Sequence, residues 1–444
     1  MLTTRQPVFR KFWHAVMPMS MLAGGQPVPF TLLGEPIVLF LDESGHPAAL
    51  RDRCCHRTAR LSKGRCVNGA LECGYHGWTY DRGGRVIRIP QYEPSRPIPA
   101  EYCTPAYRCV ARYGYAWVAL VAPGEEPLAP IPDVPEFGAP GWRTIFQFYE
   151  AWETSPLRAL ENSFDNSHFS FVHRATFGVA AQPKPSRYEL VEREGGFYAE
   201  TLIDAANPPA FHRVSGSTEP LTRRLMRNAY YLPFSRRLDI EYPSGVRHVI
   251  INCFTPVDDG RIQLAQWLFR NDREEDCPAQ LLIDFDHVIT REDKDILEST
   301  DPDAVVDTRR RGVEYSMDSD RPGMLIRKQL MELLARHGEA EVHRGARSCE
   351  PPIPPESGKI PRCSGNEPSS RSRAPSAWAS TAARRWSSRC ARRPPGTASC
   401  FGAWTWPRRW RSRSMPAPCA TRAWPPPSAR GASPPRPRCR RSST

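Results

Sequence analysis

A chain of 444 residues has room for two domains of ordinary size and one further segment. Its formal net charge of +13 would suit a polyanion partner if it were spread over the fold, but residues 351–444 hold 19 of the 61 Lys and Arg against two acids, Glu356 and Glu367. The first 350 residues keep 42 basic and 46 acidic side chains, which argues against nucleic acid as the partner of the globular part; the absence of an 18-residue apolar run argues against a membrane span.

The N-terminal thirteen residues lack the apolar core of a signal peptide, so a cytoplasmic protein is expected. Eight of the 14 cysteines precede residue 349 at irregular spacing, a usage that fits thiols or metal ligands better than disulfides. From about residue 27 to 122 short apolar runs at 28–33, 37–41, 71–73, 86–89 and 115–121 alternate with Gly, Pro, Asp and Asn, the pattern of a small antiparallel β-domain. Residues 81–84, Asp-Arg-Gly-Gly, read as a hairpin turn.

Inside that domain Cys54-x-His56 and Cys73-x-x-His76 form two Cys/His pairs 16 residues apart. Two thiolates and two imidazoles suit either tetrahedral zinc or a Rieske [2Fe–2S] cluster. Pairing Cys with His inside each loop lets each loop span two irons and favours the cluster.

Ser155 and Pro156 read as an N-cap and first helical residue, opening a helix that carries residues 161–173. On it Asn162, Asp165 and His168 share a face, with Leu157, Leu160 and Phe164 beside them. A buried carboxylate next to a buried imidazole is costly unless something pairs them, and a metal ion does so. His173 sits about 140° round from His168, so both reach one ion only if the helix ends or loosens between them. Taken alone, the stretch is equally a helix with two ordinary histidines. O₂-activating Fe(II) would need a carboxylate as well.

The runs Arg53-Cys-Cys-His-Arg57 and Leu71-Glu-Cys-Gly-Tyr-His-Gly-Trp-Thr-Tyr-Asp81 resemble the Rieske signature of the aromatic-ring-hydroxylating oxygenases. Glu161-Asn-x-x-Asp-x-x-His-x₄-His173 resembles that family's mononuclear-iron signature. The resemblance covers residues 8–345, with family-like flanking strands near Phe12–Val16 and Arg112–Trp117. It departs at Cys55 and Thr58; Cys55 is a third thiol, and Cys54 is retained as the ligand.

The chain beyond residue 185 alternates strand-like runs at 188–191, 197–202, 246–254 and 262–268. A helical pattern begins at Pro278, with Leu281, Leu282, Phe285, Val288, Ile289 and Ile296 on one side. It contains Glu292 and Asp293, between which periodicity does not choose. Asp295 and Glu298 are expected in solvent. A last amphipathic helix covers 323–337, packing Leu325, Ile326, Leu330, Leu333 and Leu334.

The expected fold class is α+β, with a Rieske β-domain at 1–135, a catalytic domain at 136–345 and a basic Pro/Arg/Ser-rich tail at 346–444 expected to be disordered, either a basic arm or an out-of-frame read. The resemblance implies a helix-grip catalytic domain, with Cys54, His56, Cys73 and His76 on the cluster and His168, His173 and Asp293 on Fe(II). It further implies that Asp165 bridges to a Rieske histidine of a neighbouring subunit in a homotrimer, with Asn162 beside the iron ligands.

No glycine-rich dinucleotide fingerprint is evident, so electrons from NAD(P)H are expected through a separate reductase, with or without a ferredoxin. The pattern is most similar to the branch of N- and O-demethylating monooxygenases, which implies hydroxylation or oxidative demethylation of a small aromatic or heteroaromatic compound. The alternatives are arene cis-dihydroxylation and a Rieske electron carrier or zinc-bearing module without oxygenase activity.

Overall fold

Short runs of β-branched and aromatic residues broken by turns fold in the N-terminal region as ten antiparallel strands. The computed structural model describes residues 1–307 and 314–344, all inside one compact unit. The segment expected to be disordered, from residue 346 onward, lies outside the described residues.

The first four strands are β1 (His14–Pro18), β2 (Val28–Leu32), β3 (Glu35–Leu41) and β4 (Pro47–Arg51). Then follow β5 (Arg65–Val67), β6 (Ala70–Glu72), β7 (Thr79–Tyr80), β8 (Val86–Arg88), β9 (Ala106–Arg112) and β10 (Tyr115–Ala119). Six of them form a sheet in the order β1-β10-β9-β4-β3-β2, and β5-β6-β7-β8 form a separate four-stranded sheet. The turn expected at residues 81–84 closes β7 onto β8, with the Gly84 N–H on the Asp81 carbonyl at 3.0 Å and the Arg85 N–H on the Asp81 side chain at 2.9 Å.

The C-terminal half opens with β11 (Arg143–Trp152) and α1 (Pro156–Asn162), followed by β12 (Glu189–Arg193), β13 (Gly196–Ala206) and the short α2 (His212–Ser215). Strands β14 (Leu221–Tyr231), β15 (Ser235–Glu241), β16 (Arg247–Pro256) and β17 (Ile262–Arg270) come next, then α3 (Ala279–Leu297) and α4 (Arg321–Arg336). The strands make one antiparallel sheet in the order β11-β17-β16-β15-β14-β13-β12. Leu282 and Phe285 of α3 pack with Ile203, Met226, Leu238, Ile250 and Leu268 of the sheet, so the sheet grips the helix over one face. The mixed fold with a Rieske sheet and an antiparallel catalytic sheet is the α+β class expected.

One core joins the two halves. Val8, Phe9, Phe12 and Val16 pack with Leu157, Leu160 and Phe164 on one side and Leu330 and Leu333 of α4 on the other. The Thr255 hydroxyl donates to the Ala15 carbonyl and the Tyr149 hydroxyl to the Val16 carbonyl, both at 2.7 Å. In α4 all five apolar residues expected to pack are buried.

Two expectations fail. The helix opened by Ser155, whose hydroxyl accepts the Arg158 N–H, ends at Asn162, so Asp165 and His168 lie outside it. Ser163 and Asp165 favour turns over helix continuation, because their side chains bond nearby backbone: Ser163 to the Leu160 carbonyl and Asp165 to the Ser167 N–H. In α3, Val288 and Ile296 are exposed rather than inward; the inner face is taken by Leu282, Phe285, Asp286 and Leu297, with Asp293. Asp286 and Asp293 are seven residues apart, two turns, and both line the space beneath the helix.

Candidate metal centres

The two Cys/His loops are built on one backbone plan. The Cys54 N–H donates to the Ala59 carbonyl at 2.8 Å and the Thr58 N–H returns to Cys54 at 3.0 Å. The Cys73 N–H donates to the Trp78 carbonyl at 2.9 Å and the Gly77 N–H returns to Cys73 at 3.0 Å. The fifth residue of each loop is left-handed, Thr58 at φ 58° and Gly77 at φ 73°. Thr58, a β-branched residue, holds a conformation that glycine adopts without strain.

The loops bring four donor side chains together. Cys54 and Cys73 are both buried. The Cys73 side chain and the Tyr80 hydroxyl lower the Cys54 thiol against burial, and Cys54 together with burial raises Cys73. The rings of His56 and His76 lie 4.7 Å apart, and His56 stacks flat on Trp78 at 4.5 Å. His56 Nδ1 is a buried atom without a hydrogen-bond partner among the described residues. Two facing sulfurs, two facing imidazoles and an orphaned ring nitrogen fit a [2Fe–2S] group bridging the loops. Cys55 is exposed, which leaves Cys54 as the inward thiol. Tyr80 orders the entry: its oxygen accepts the Cys55 N–H at 3.0 Å and its hydroxyl lies 3.0 Å from Cys54 Sγ.

The second cluster is assembled from the turns after α1 and from α3. His168 Nε2 and His173 Nε2 are 3.2 Å apart, and Asp293 Oδ1 lies 3.4 Å from the first and 3.2 Å from the second. Three cis ligands about 2.1 Å from one ion have edges of about 3.0 Å, so this near-equilateral triangle has the size of one octahedral face. Asp293 Oδ1 is buried and makes no hydrogen bond to the described residues, as expected of an atom whose partner would be a cation.

What lies behind the triangle fixes its tautomers. His168 Nδ1 meets Asp165 Oδ2 at 3.1 Å, and His173 Nδ1 meets Glu292 Oε2 at 2.8 Å. A carboxylate on Nδ1 keeps the proton there and leaves Nε2 as a lone pair facing inward. The Thr176 hydroxyl holds Glu292 at 3.0 Å, and Asn162 helps hold Asp293 low. At His173, Asp293 and Asp165 burial opposes charge but is outweighed: Asp293 and Glu292 raise His173, and the histidines they face hold Asp293 and Asp165 low.

Sequence reasoning missed Glu292 as a partner of His173 and found no role for Thr176. The adjacency of two acids on α3 was the available signal, since neighbours about 100° apart can face one ligand from two sides.

The triangle opens on a cavity of about 140 Å³ between the sheet and α3. Its walls are largely apolar, including Phe169, Phe177, Leu238, Ile240, Ile250 and Phe285. Along one wall runs a hydrogen-bonded ladder with one residue per strand: Arg236 of β15, Asn252 of β16, Gln266 of β17 and Gln147 of β11. Arg236 donates to Asn252 (3.4 Å), Asn252 to Gln266 (2.5 Å), Gln266 to Gln147 (2.8 Å) and Gln147 to Asp286 of α3 (2.6 Å). Every dipole points the same way, from a guanidinium to a carboxylate.

A Rieske [2Fe–2S] domain model matches residues 12–109, and the model of the vanillate O-demethylase oxygenase C-terminal domain matches residues 152–336. The chain belongs to the Rieske non-haem iron oxygenases, oxidoreductases that carry a [2Fe–2S] cluster and a mononuclear iron. It is 30% identical over 344 residues to the methylxanthine N1-demethylase NdmA of Pseudomonas putida, covering 74% of this chain and 90% of that one. The structure of NdmA with caffeine superposes with a TM-score of 0.65 at 26% identity, over 76% of this chain and 94% of the other. The toluene-4-sulfonate monooxygenase iron–sulfur subunit TsaM1 of Comamonas testosteroni is 32% identical over 166 residues, 37% of this chain and 46% of that one.

Proposed function

We propose that the chain is the terminal oxygenase of a multicomponent system, hydroxylating or oxidatively demethylating a small aromatic or heteroaromatic compound. The observation that carries this reading is the His168–His173–Asp293 triangle, each imidazole backed by a carboxylate, opening on a cavity with largely apolar walls. In the reading Cys54, His56, Cys73 and His76 hold a cluster that supplies electrons singly, and His168, His173 and Asp293 hold Fe(II), which supplies O₂ activation.

The protein's own groups do the rest. Asp165 and Glu292 hold the two imidazole protons on Nδ1, and the apolar walls exclude water and orient the ring of the substrate. Demethylation consumes O₂, two electrons and two protons and releases the parent compound, formaldehyde and water.

The electrons come from NAD(P)H through a separate reductase, directly or by way of a ferredoxin. His56 and His76 are half-exposed beside the exposed Tyr75, and Asp165 is half-buried at the rim of the second centre, so both centres reach the surface. This supports transfer between subunits, from the cluster of one to Asp165 and His168 of the next, in a head-to-tail trimer. No helix among the described residues is long and apolar enough to cross a membrane. A cytoplasmic setting, where the eight cysteines of the described residues stand as thiols, completes the reading.

The test supplies iron-loaded protein with NADH, a flavin or [2Fe–2S] reductase and a panel of methylated aromatics. Formaldehyde that depends on Asp293 is the expected product. A cis-diol would replace demethylation with arene dihydroxylation, and electron transfer without consumption of any substrate would return the chain to the electron carriers.

A further inference from the structure

The two guanidiniums of the cavity are not paired with its two carboxylates. Its lining includes two guanidiniums, Arg224 and Arg236, and two carboxylates, Asp286 and Asp293. Asp293 belongs to the metal triangle. Asp286 is occupied by Gln147 at 2.6 Å and His248 at 3.3 Å. Among the described residues neither arginine has an acid within ion-pair distance, although Arg224 is 5% and Arg236 9% exposed. A buried charge without a counter-charge is strongly disfavoured unless a ligand supplies one.

The two arginines differ in what surrounds them. Arg236 is held by the Asn228 and Asn252 side-chain oxygens at 2.9 and 3.4 Å, and it feels the charge of nearby Asp293. Arg224 has only neutral neighbours: the Thr222 hydroxyl at 2.9 Å, the Ala206 carbonyl at 3.3 Å and the Tyr242 ring at 5.1 Å. Its Nη1 makes no hydrogen bond to the described residues. Burial pulls both guanidiniums below their ordinary value, Arg236 to about 10.

They also stand at opposite ends. Arg236 pairs across the sheet with Tyr230, six residues along β14 from Arg224. At about 3.4 Å per residue their Cα atoms are about 20 Å apart. Arg236 is near the metal triangle; Arg224 is at the far end. Between them the walls include Met226, Leu238, Ile240 and Ile250.

We propose that Arg224 anchors a carboxylate or sulfonate carried by the substrate, at the end of the cavity away from the metal triangle. The proposal rests on the oxygenase reading and narrows it. The substrate is an aromatic acid whose anion lies on Arg224, whose ring lies on the apolar walls and whose oxidised methyl or ring carbon faces His168, His173 and Asp293. Arg236 keeps the metal end cationic and leaves Arg224 as the open site for the anion. A cationic substrate is excluded by the same charges.

The experiment is anaerobic calorimetry on the iron-loaded protein with 4-methoxybenzoate and toluene-4-sulfonate, each against a neutral partner of matching shape, 4-methoxybenzamide and toluene-4-sulfonamide. The wild type should bind at least one acid roughly 10- to 100-fold more tightly than its neutral partner. Arg224→Gln should erase that preference with iron content and cluster absorption unchanged, and Arg224→Lys should restore part of it. Equal affinity for acid and neutral compound in both pairs, or an unchanged preference in Arg224→Gln, overturns the proposal. An absence of mononuclear iron, measured on the same sample, would instead strike the oxygenase reading.

Discussion

The cluster loops and the triangle under α3 differ in how their donors are gathered. The loops hold all four donors between residues 54 and 76, each loop shaped by its own pair of backbone hydrogen bonds. The triangle takes two donors from turns after α1 and the third from a helix 120 residues later, and it depends on Asp165 and Glu292 behind the imidazoles. A site made within loops survives wherever the loops fold. A site made between elements exists only while the sheet, the turns and α3 keep their packing.

Breaking the triangle tests the contrast most strongly. Asp293→Ala should remove the mononuclear iron and all product formation while the cluster keeps its absorption; loss of both chromophore and activity would mean the two centres are not separately built. Cys54→Ser should do the reverse, removing the cluster's colour, and Cys55→Ser should leave it unchanged.

A milder change behind the triangle is Glu292→Gln. Weakening a carboxylate that orients a ligating imidazole should lower iron affinity by about 10- to 100-fold, measured by chelator competition. Unchanged affinity would reduce Glu292 to a neighbour of His173.

The packing between elements is tested away from both metals. Arg237 of β15 is fully buried and takes Glu136 in a two-pronged bond at 2.7 and 2.6 Å. Glu136→Gln should cost about 3 kcal/mol in denaturant unfolding, the lower end for a broken buried pair because Asp239 remains 3.7 Å from the guanidinium. Against burial, Arg237 holds Glu136 below its ordinary value of 4.5. A group with a depressed folded-state value stabilises above its unfolded value and loses that contribution as pH falls through the folded one. The gap between wild type and variant should therefore stay constant above about pH 5 and narrow below 4.5; a gap that widens in acid would contradict the assignment.

The smallest effect is expected at Tyr80. Tyr80→Phe removes the hydroxyl 3.0 Å from Cys54 Sγ and should lower the cluster's reduction potential without altering its iron content.

The same contrast explains what could be read in advance. The gathering of Cys54, His56, Cys73 and His76 was legible because spacing within a loop is a local property. The strands were legible from alternation and turns, and Pro278 marked the start of α3. The length of α1 was not, because helical spacing at Asn162, Asp165 and His168 is equally served by consecutive turns once Ser163 and Asp165 bond their own backbone. Val288 and Ile296 continued an apolar pattern on α3, yet Asp286 and Asp293 took the inner face, since the cavity there needs polar groups. The Arg236–Asn252–Gln266–Gln147 ladder leaves no trace in sequence, because it depends on cross-strand register.

The most direct test of two separately built centres in one chain is iron and zinc content with EPR after dithionite reduction, on protein purified without oxygen. The account predicts about three irons per chain and a Rieske-type signal. Two irons would leave the triangle without its metal, and zinc in place of iron with no colour would contradict the account at both centres.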